Sequence, residues 1–502
     1  MGTEPQRSTR LDVSRRAFLG LAGATALAAC SGGGSRAVRR PASPPSAPSG
    51  PAGPFNQYVT GGFAPVRREV EAQNLTVVGS IPHELQGHLL RIGPNPMQID
   101  AANYHWFLGD GMVHSIELDR GVARSYRNRW VRTDAVAKEL GEPSRVSVVA
   151  QANPIPNMAN TSIVAHAGRV LALFEASLPT EITPDAATVG PFDFGGRLRS
   201  PMTAHPKVDP VTGELIFFGL DLFGPPYLRL HVVDRSGALV RSEEITLPGP
   251  SMMHDFAITE HHIVFLDMPV VYDLALVGTR PFPAVWKPEY GARIGVMPRA
   301  GTGANVRWFD IPLGYVFHIA NAFDDGDQVV LDVAHYARMF DRDIHGVADV
   351  APTFDRWTVD LRVGKVRAER LDDRGHEFPK VSPSVVGRQH RYVYLTRLDV
   401  PELGHAEFGG LVKYDARTGR SVAARLGAGR HAGEGYFVPS APGVGEDDGW
   451  VLSIVADRAN GTSELVILDA TDFGGKPVAR VSLPQRVPYG FHSLWVPSAV
   501  TS

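Results

Sequence analysis

The residues best suited to chemistry in this chain are histidines. There are 18 of them against a single cysteine, Cys30. An intrachain disulfide and a cysteine zinc site are therefore excluded, and a bound metal must take histidine or carboxylate ligands. Most of the histidines have ordinary readings. His261 and His262 lie in a polar turn, and His345, His376, His390 and His405 lie among charged residues, where solvation is expected. Four stand apart: His205 in SPMTAHPKVDP, His254 in SMMHDFAITE, His318 in LGYVFHIANAF and His492 in VPYGFHSLWVP. Each opens or closes an apolar, strand-like segment among small or aromatic neighbours. Imidazole suits iron, copper, zinc or nickel. No local motif of the HExxH kind joins the four, and long stretches of chain separate them. They can meet only if four separate strands converge.

The elements that must bring them together are short strands. Apolar runs recur between turn signals: SIVAHAGRVLALFE (162–175), GELIFFGLD (213–221), LRLHVVDRSGALV (228–240), DFAITEHHIVFLD (255–267), DQVVLDVAHY (327–336), GLVKYDARTGRSV (410–422) and SELVILDATDF (463–473). Turns such as DRSG, DART and DATD between paired runs are hairpin chemistry. Thr259–His262 is the turn expected within DFAITEHHIVFLD. Hairpins repeated over most of the chain, with few helical patterns, read as an all-β protein, a β-propeller with a β-sandwich array as the alternative. The inner strands of propeller blades share one axis, which supplies the convergence. RTDAVAKELGE (132–142) is a short helix, and the proline-rich 271–292 has room for another turn or two.

The totals agree. The chain has 502 residues, 43% of them hydrophobic, with 52 glycines and 40 prolines. A net charge of −3 gives no argument for nucleic acid. No apolar run of ~20 residues follows the N-terminal region, so no membrane span is expected. The N-terminus reads as an address. SRRAFLG (14–20), then FLGLAGATALAA, resembles a twin-arginine export signal, and it ends in LAAC, a lipobox-like site at Cys30. Residues 1–30 are thus expected to be a lipoprotein-type signal peptide holding the protein at a membrane face outside the cytoplasm, by peripheral contact through one lipid anchor. Residues 31–54, rich in Gly, Ser and Pro, are expected to be a disordered tether, with one domain from 55 to 502. The twin-arginine route carries folded proteins, often with a cofactor already inserted.

Segments in order along the chain carry a resemblance. GHLLRIGPNP (87–96), YHWFLGDGMVHSIEL (104–118), NTSIVAHAGRVLALFE (160–175), MTAHPKVDPVTGEL, MMHDFAITE, FHIANAFDDGD, EFPKVSPSVVG, GEGYFVP (433–439) and GFHSLWVP are similar to the carotenoid cleavage oxygenase family, over roughly 57–497. The resemblance implies a seven-bladed β-propeller with a small helical dome over one face. It implies one Fe(2+) bound by His205, His254, His318 and His492, with Glu175, Glu377 and Glu434 behind the imidazoles and Thr161 near the metal. A carboxylate on the far N–H of a ligating imidazole fixes its tautomer and orientation. Without the resemblance, each Glu reads as a turn cap or an arginine partner, a poor fit for Glu175 inside an apolar strand. Asp324 departs from the Glu expected there, with no consequence for ligation.

The implied activity is cleavage of a C=C bond of a carotenoid or apocarotenoid by O2, giving two carbonyl products. The alkene supplies all four electrons, so no reductant is needed, and GTGANV (301–306) lacks the GxGxxG of a nucleotide site. An apolar polyene calls for an apolar tunnel, with Met268, Tyr272, Phe282, Trp286, Phe107, Phe317 and Trp495 as lining candidates against the plain reading of core packing. Stilbene-cleaving family members grip a phenol with polar groups including a lysine. Only Lys138 lies near YRNRWVRTDAVAKEL, which favours the carotenoid reading. A membrane-tethered binding propeller with a vestigial metal site is the alternative of another class.

Overall fold

The computed structural model describes residues 55–143 and 155–498. The signal and tether expected over 1–54 lie outside them. The described residues form seven antiparallel sheets of at least four strands and one two-stranded ribbon. The sheets are the blades of a propeller, as the resemblance implied; a sandwich array is excluded. The seven inner strands, β1–β7 in chain order, are Ser162–His166, Lys207–Val208, Phe256–Ile258, Tyr315–Asp325, His376–Lys380, Tyr436–Pro439 and Ser493–Pro497.

The blades of β1 to β5 are built outward by pairing strands in chain order, mostly through hairpins as the recurring strand–turn–strand pattern predicts; in the blade of β3 a ribbon is inserted between His262–Asp267 and Arg293–Pro298. The turns work as read. Asp234 Oδ1 accepts the backbone N–H groups of Ser236 and Ala238, and Gly237 follows at φ +90°, a conformation that favours glycine. Asp415 and Asp469 bind the N–H groups two and three residues on in the same way. Blades packed on both faces need continuous apolar strands, and Leu215–Leu220 is buried throughout.

The ring is closed twice by pairing opposite ends of the chain. β7 pairs with Gly87–Pro94, and that blade continues through Gly111–Asp119, Val122–Trp130 and Glu71–Gln73. In the blade of β6, Val77–Gly79 pairs with Ala479–Ser482.

Helix is sparse. RTDAVAKELGE contains α1, Asp134–Leu140, capped by the Thr133 side chain and ended by Gly141 in the left-handed region. The segment 271–292 holds single 3-10 turns, Leu274–Leu276 and Pro288–Tyr290, and a ribbon of Val270–Tyr272 with Ala284–Trp286. Its three prolines, 281, 283 and 288, forbid anything longer. Three histidines expected to be solvated are buried: His345, His376 and His390. Their charged partners come from distant strands as well as local sequence. His390 Nε2 meets Asp332 Oδ2 at 2.9 Å, and that carboxylate also takes Arg356. His405 stays near the surface beside Glu402 and Glu407.

Candidate metal centre

Each inner strand carries one residue of interest at or near its start. Thr161 precedes β1, His205 lies two residues before β2, His254 two before β3, His318 lies in β4, Glu377 in β5, Glu434 two before β6, and His492 immediately before β7. The strand starts face one end of the ring, so side chains far apart in sequence meet. All four histidines are buried. The His205 ring centroid lies 4.5, 4.9 and 4.6 Å from those of His254, His318 and His492. His205 and His254 face one another through Nε2 at 2.9 Å. Nitrogens of His205, His318 and His492 lie within 4.8 Å of one another.

Three imidazoles are held from behind. His254 Nδ1 lies 2.7 Å from Glu175 Oε2, His318 Nδ1 2.5 Å from Glu377 Oε2, and His492 Nδ1 2.8 Å from Glu434 Oε1. Each Nδ1 donates to its carboxylate, which puts the lone pair of each ring on Nε2; that of His254 faces His205 Nε2. No carboxylate pairs with His205 among the described residues. Glu175 sits in the turn just past Arg169–Leu173, not inside that strand. It is itself fixed by the Tyr272 hydroxyl at 3.2 Å, and Glu377 by that of Tyr336 at 2.9 Å. Glu434 also accepts the N–H of Ser493 at 2.6 Å and lies 3.3 Å from Lys380 Nζ. Thr161 donates its hydroxyl to Asn160 Oδ1.

The electrostatics favour neutral imidazoles at two of the four. Burial, then repulsion from the other imidazoles, pushes His205 well below its ordinary value. Burial outweighs Glu434 at His492 and brings it down to about 4. At His254 burial works the same way, but Glu175 overcomes it and the value is raised. Burial would raise Glu434, yet Lys380 and His492 hold it at about 2.

This donor set fits a divalent transition metal. His318 Nε2 is buried with no hydrogen-bond partner, the signature of a lone pair kept for another ligand. Three of the four imidazoles have their tautomer fixed for binding through Nε2.

Aromatic rings cover one side. Phe317 lies 5.3 Å from His254, and Phe378 lies 5.4 Å from His318 and 5.3 Å from His492. Phe107 meets Phe317, Phe282 and Phe491 edge-on. Met268, Tyr272, Phe282 and Trp286 of the ribbon region pack against the same cluster, so six of the seven tunnel candidates lie together. Trp495 lies apart from them: it packs between the blades of β6 and β7 and lines the cavity along the inner strands. Tyr272 has a second task that the sequence reading missed, its bond to Glu175. Lys138 is exposed on α1. Along the inner strands a cavity of about 510 Å³, lined from all seven, reaches His205, His318 and His492 and takes in Lys207, Asp255, Lys380 and Glu434. Asp255, Lys207, Lys380 and Tyr336 were not foreseen. The first two adjoin ligand candidates in sequence, the one signal that could have found them.

Seven blades with a histidine centre on their axis and carboxylates behind the imidazoles define a propeller oxygenase. The chain belongs to the carotenoid cleavage oxygenase family: residues 63–497 match the profile of the retinal pigment epithelial membrane protein family. It is 40% identical to a carotenoid cleavage oxygenase of Mycobacterium tuberculosis, over 88% of this chain and 98% of that one. It is 35% identical to carotenoid 9,10(9',10')-cleavage dioxygenase 1 of Arabidopsis thaliana, over 88% and 89%. Among solved structures, the lignostilbene dioxygenase of Pseudomonas brassicacearum superposes with a TM-score of 0.80 at 30% identity, covering 89% of this chain and 100% of that one. The cobalt-substituted apocarotenoid oxygenase of Synechocystis gives 0.76 at 31%, covering 87% and 98%. The chain is accordingly an oxidoreductase of the carotenoid-dioxygenase type.

Proposed function

We propose that the protein binds one Fe(2+) through His205, His254, His318 and His492 and uses O2 to cleave a C=C bond of a carotenoid or apocarotenoid, giving two carbonyl products. The observation that carries this reading is the convergence of four buried imidazoles, three of them backed by Glu175, Glu377 and Glu434. Bound iron(II) would supply O2 activation. The chain's own residues do the rest. The glutamates hold the tautomers, and neutral imidazoles leave the metal its full charge. Phe317, Phe107 and Phe282 offer an apolar surface to a conjugated chain and exclude water from the reacting bond. Positioning one double bond against the centre is the remaining task.

A second reading, stilbene cleavage, is favoured by the likeness to lignostilbene dioxygenase. Against it, the lysine nearest in sequence to the expected grip, Lys138, is exposed. The deciding experiment measures iron content and product masses after incubation with an apocarotenal or a hydroxystilbene under O2. One iron per chain and two aldehydes from the apocarotenal alone support the first reading. Aldehydes from the stilbene alone support the second, and no iron with no product leaves a binding propeller. Export by the twin-arginine route and lipidation at Cys30 belong to the same proposal; Cys30→Ser would release the protein from the membrane fraction.

A further inference from the structure

A second polar site lies between the blades of β6 and β7. Arg91 stands on Gly87–Pro94, in register with His114 on one neighbouring strand and Ser493 on the other. Only 3% of it is exposed. Its Nε has no partner, and its guanidinium forms no hydrogen bond or ion pair with any described residue. The group lies flat on the backbone of Gly433: a Cβ there would stand 2.7 Å from Arg91 Cζ. Glycine is needed at 433 for space, not for conformation. Close by, the Tyr489 hydroxyl is also buried without a partner.

Both groups line a small cavity of about 10 Å³. Its other polar walls are largely engaged. The Asn95 side chain is bound to the backbone of Val66 through both its atoms, and His114 Nδ1 meets the Tyr126 hydroxyl. No carboxylate lines the cavity. The acid whose field reaches Arg91 is Glu434, which already serves His492, Ser493 and Lys380. Arg486, nearby in sequence to Tyr489, bonds only to the carbonyls of Gly62 and Ala64.

A buried cation with no direct partner, whose one nearby carboxylate is already shared among His492, Ser493 and Lys380, is costly, and its usual remedy is a paired anion. We propose that this cavity is a halide site, with a chloride-sized anion held between the Arg91 guanidinium and the Tyr489 hydroxyl. The cavity is small, which favours a monatomic anion over phosphate or a carboxylate ligand. A water molecule would satisfy hydrogen bonds there but would leave the charge unmatched. The site sits where the N-terminal strand Gly87–Pro94 meets the C-terminal β7, so the anion would reinforce the closure of the ring.

The test uses the full chain and bromide as the probe. Crystals soaked in sodium bromide should show an anomalous peak in contact with the Arg91 guanidinium and the Tyr489 hydroxyl. In solution, protein exchanged into gluconate should gain thermal stability on titration with sodium bromide at constant ionic strength, and the gain should saturate. Tyr489→Phe, which keeps the ring, should weaken the apparent bromide affinity about tenfold with iron content unchanged. An empty anomalous map at that position overturns the proposal. So does a Tm that depends on ionic strength but not on the identity of the anion.

Discussion

Asp255 Oδ2 accepts the backbone N–H of Ile319 at 2.9 Å, one residue past His254 on one side and one past His318 on the other. Its second oxygen takes Lys207 Nζ at 2.7 Å, two residues past His205. A single buried carboxylate thus ties together the three strands that carry three of the four histidines. Asp255→Asn keeps an acceptor but leaves the half-buried Lys207 without its counter-charge. Stability should fall by about 3 kcal/mol, with lower iron occupancy. Denaturant unfolding and metal analysis check both.

The glutamates behind the imidazoles should act on affinity rather than on folding alone. Glu377→Gln keeps the shape of the side chain but weakens its hold on His318. Metal affinity should drop between about 10- and about 100-fold, read by chelator competition with cobalt as a spectroscopic probe. Unchanged affinity would reduce Glu377 to a structural role.

Acid should strip the centre. His492 is held down at about 4, so the unfolded chain takes up its proton first. The stability contributed by the neutral ring is complete above the unfolded value, about 6.5, and is lost as pH falls toward 4. His114, brought down to about 3 by burial first and then by Arg91, and His231, to about 4 chiefly by burial, share this sign. Glu434 adds stability that is present above the ordinary carboxylate value and is lost as pH falls toward about 2. The raised value at His254 opposes the trend without reversing it. The Tm of metal-free protein should therefore fall steeply between pH ~6.5 and ~4. A flat profile would contradict the burial of neutral rings.

Lys138→Ala should leave turnover of either substrate within twofold of the wild type, because the side chain is exposed on α1. A tenfold loss specific to the stilbene would return this lysine to substrate binding.

Gly433→Ala forces a methyl group against the Arg91 guanidinium. The guanidinium, the end of a flexible side chain, must leave its packed position, at a cost of about 1 kcal/mol. Thermal unfolding should show a small decline with iron retention unchanged.

The site histidines were legible because each sits at the edge of an apolar run, where a polar ring needs a reason. The hairpin turns were legible from Asp and Gly chemistry, and α1 from its Thr133 cap. Blade number, ligand convergence and the glutamate pairings came through family resemblance, since no local spacing encodes them. His345, His376 and His390 were misread because their neighbours in sequence are charged, whereas their burial is decided by strands far away in the chain. Trp495 stands apart from the other six lining candidates: alternation along β7 turns it away from the aromatic cluster, so that it packs between blades and lines the cavity along the inner strands. Asp255 and Arg91 were silent in sequence because their work is done across blades.

The double closure of the ring sets an order of events in biosynthesis. His492 precedes the last described strand, and that strand pairs with residues made near the beginning. Under the proposed ligation, a chain not yet made through His492 carries three of the four histidines on an open circle. Its metal centre would be complete only once β7 closes the ring, and a truncated product lacking His492 and β7 would be marked as defective by its incomplete ligand set.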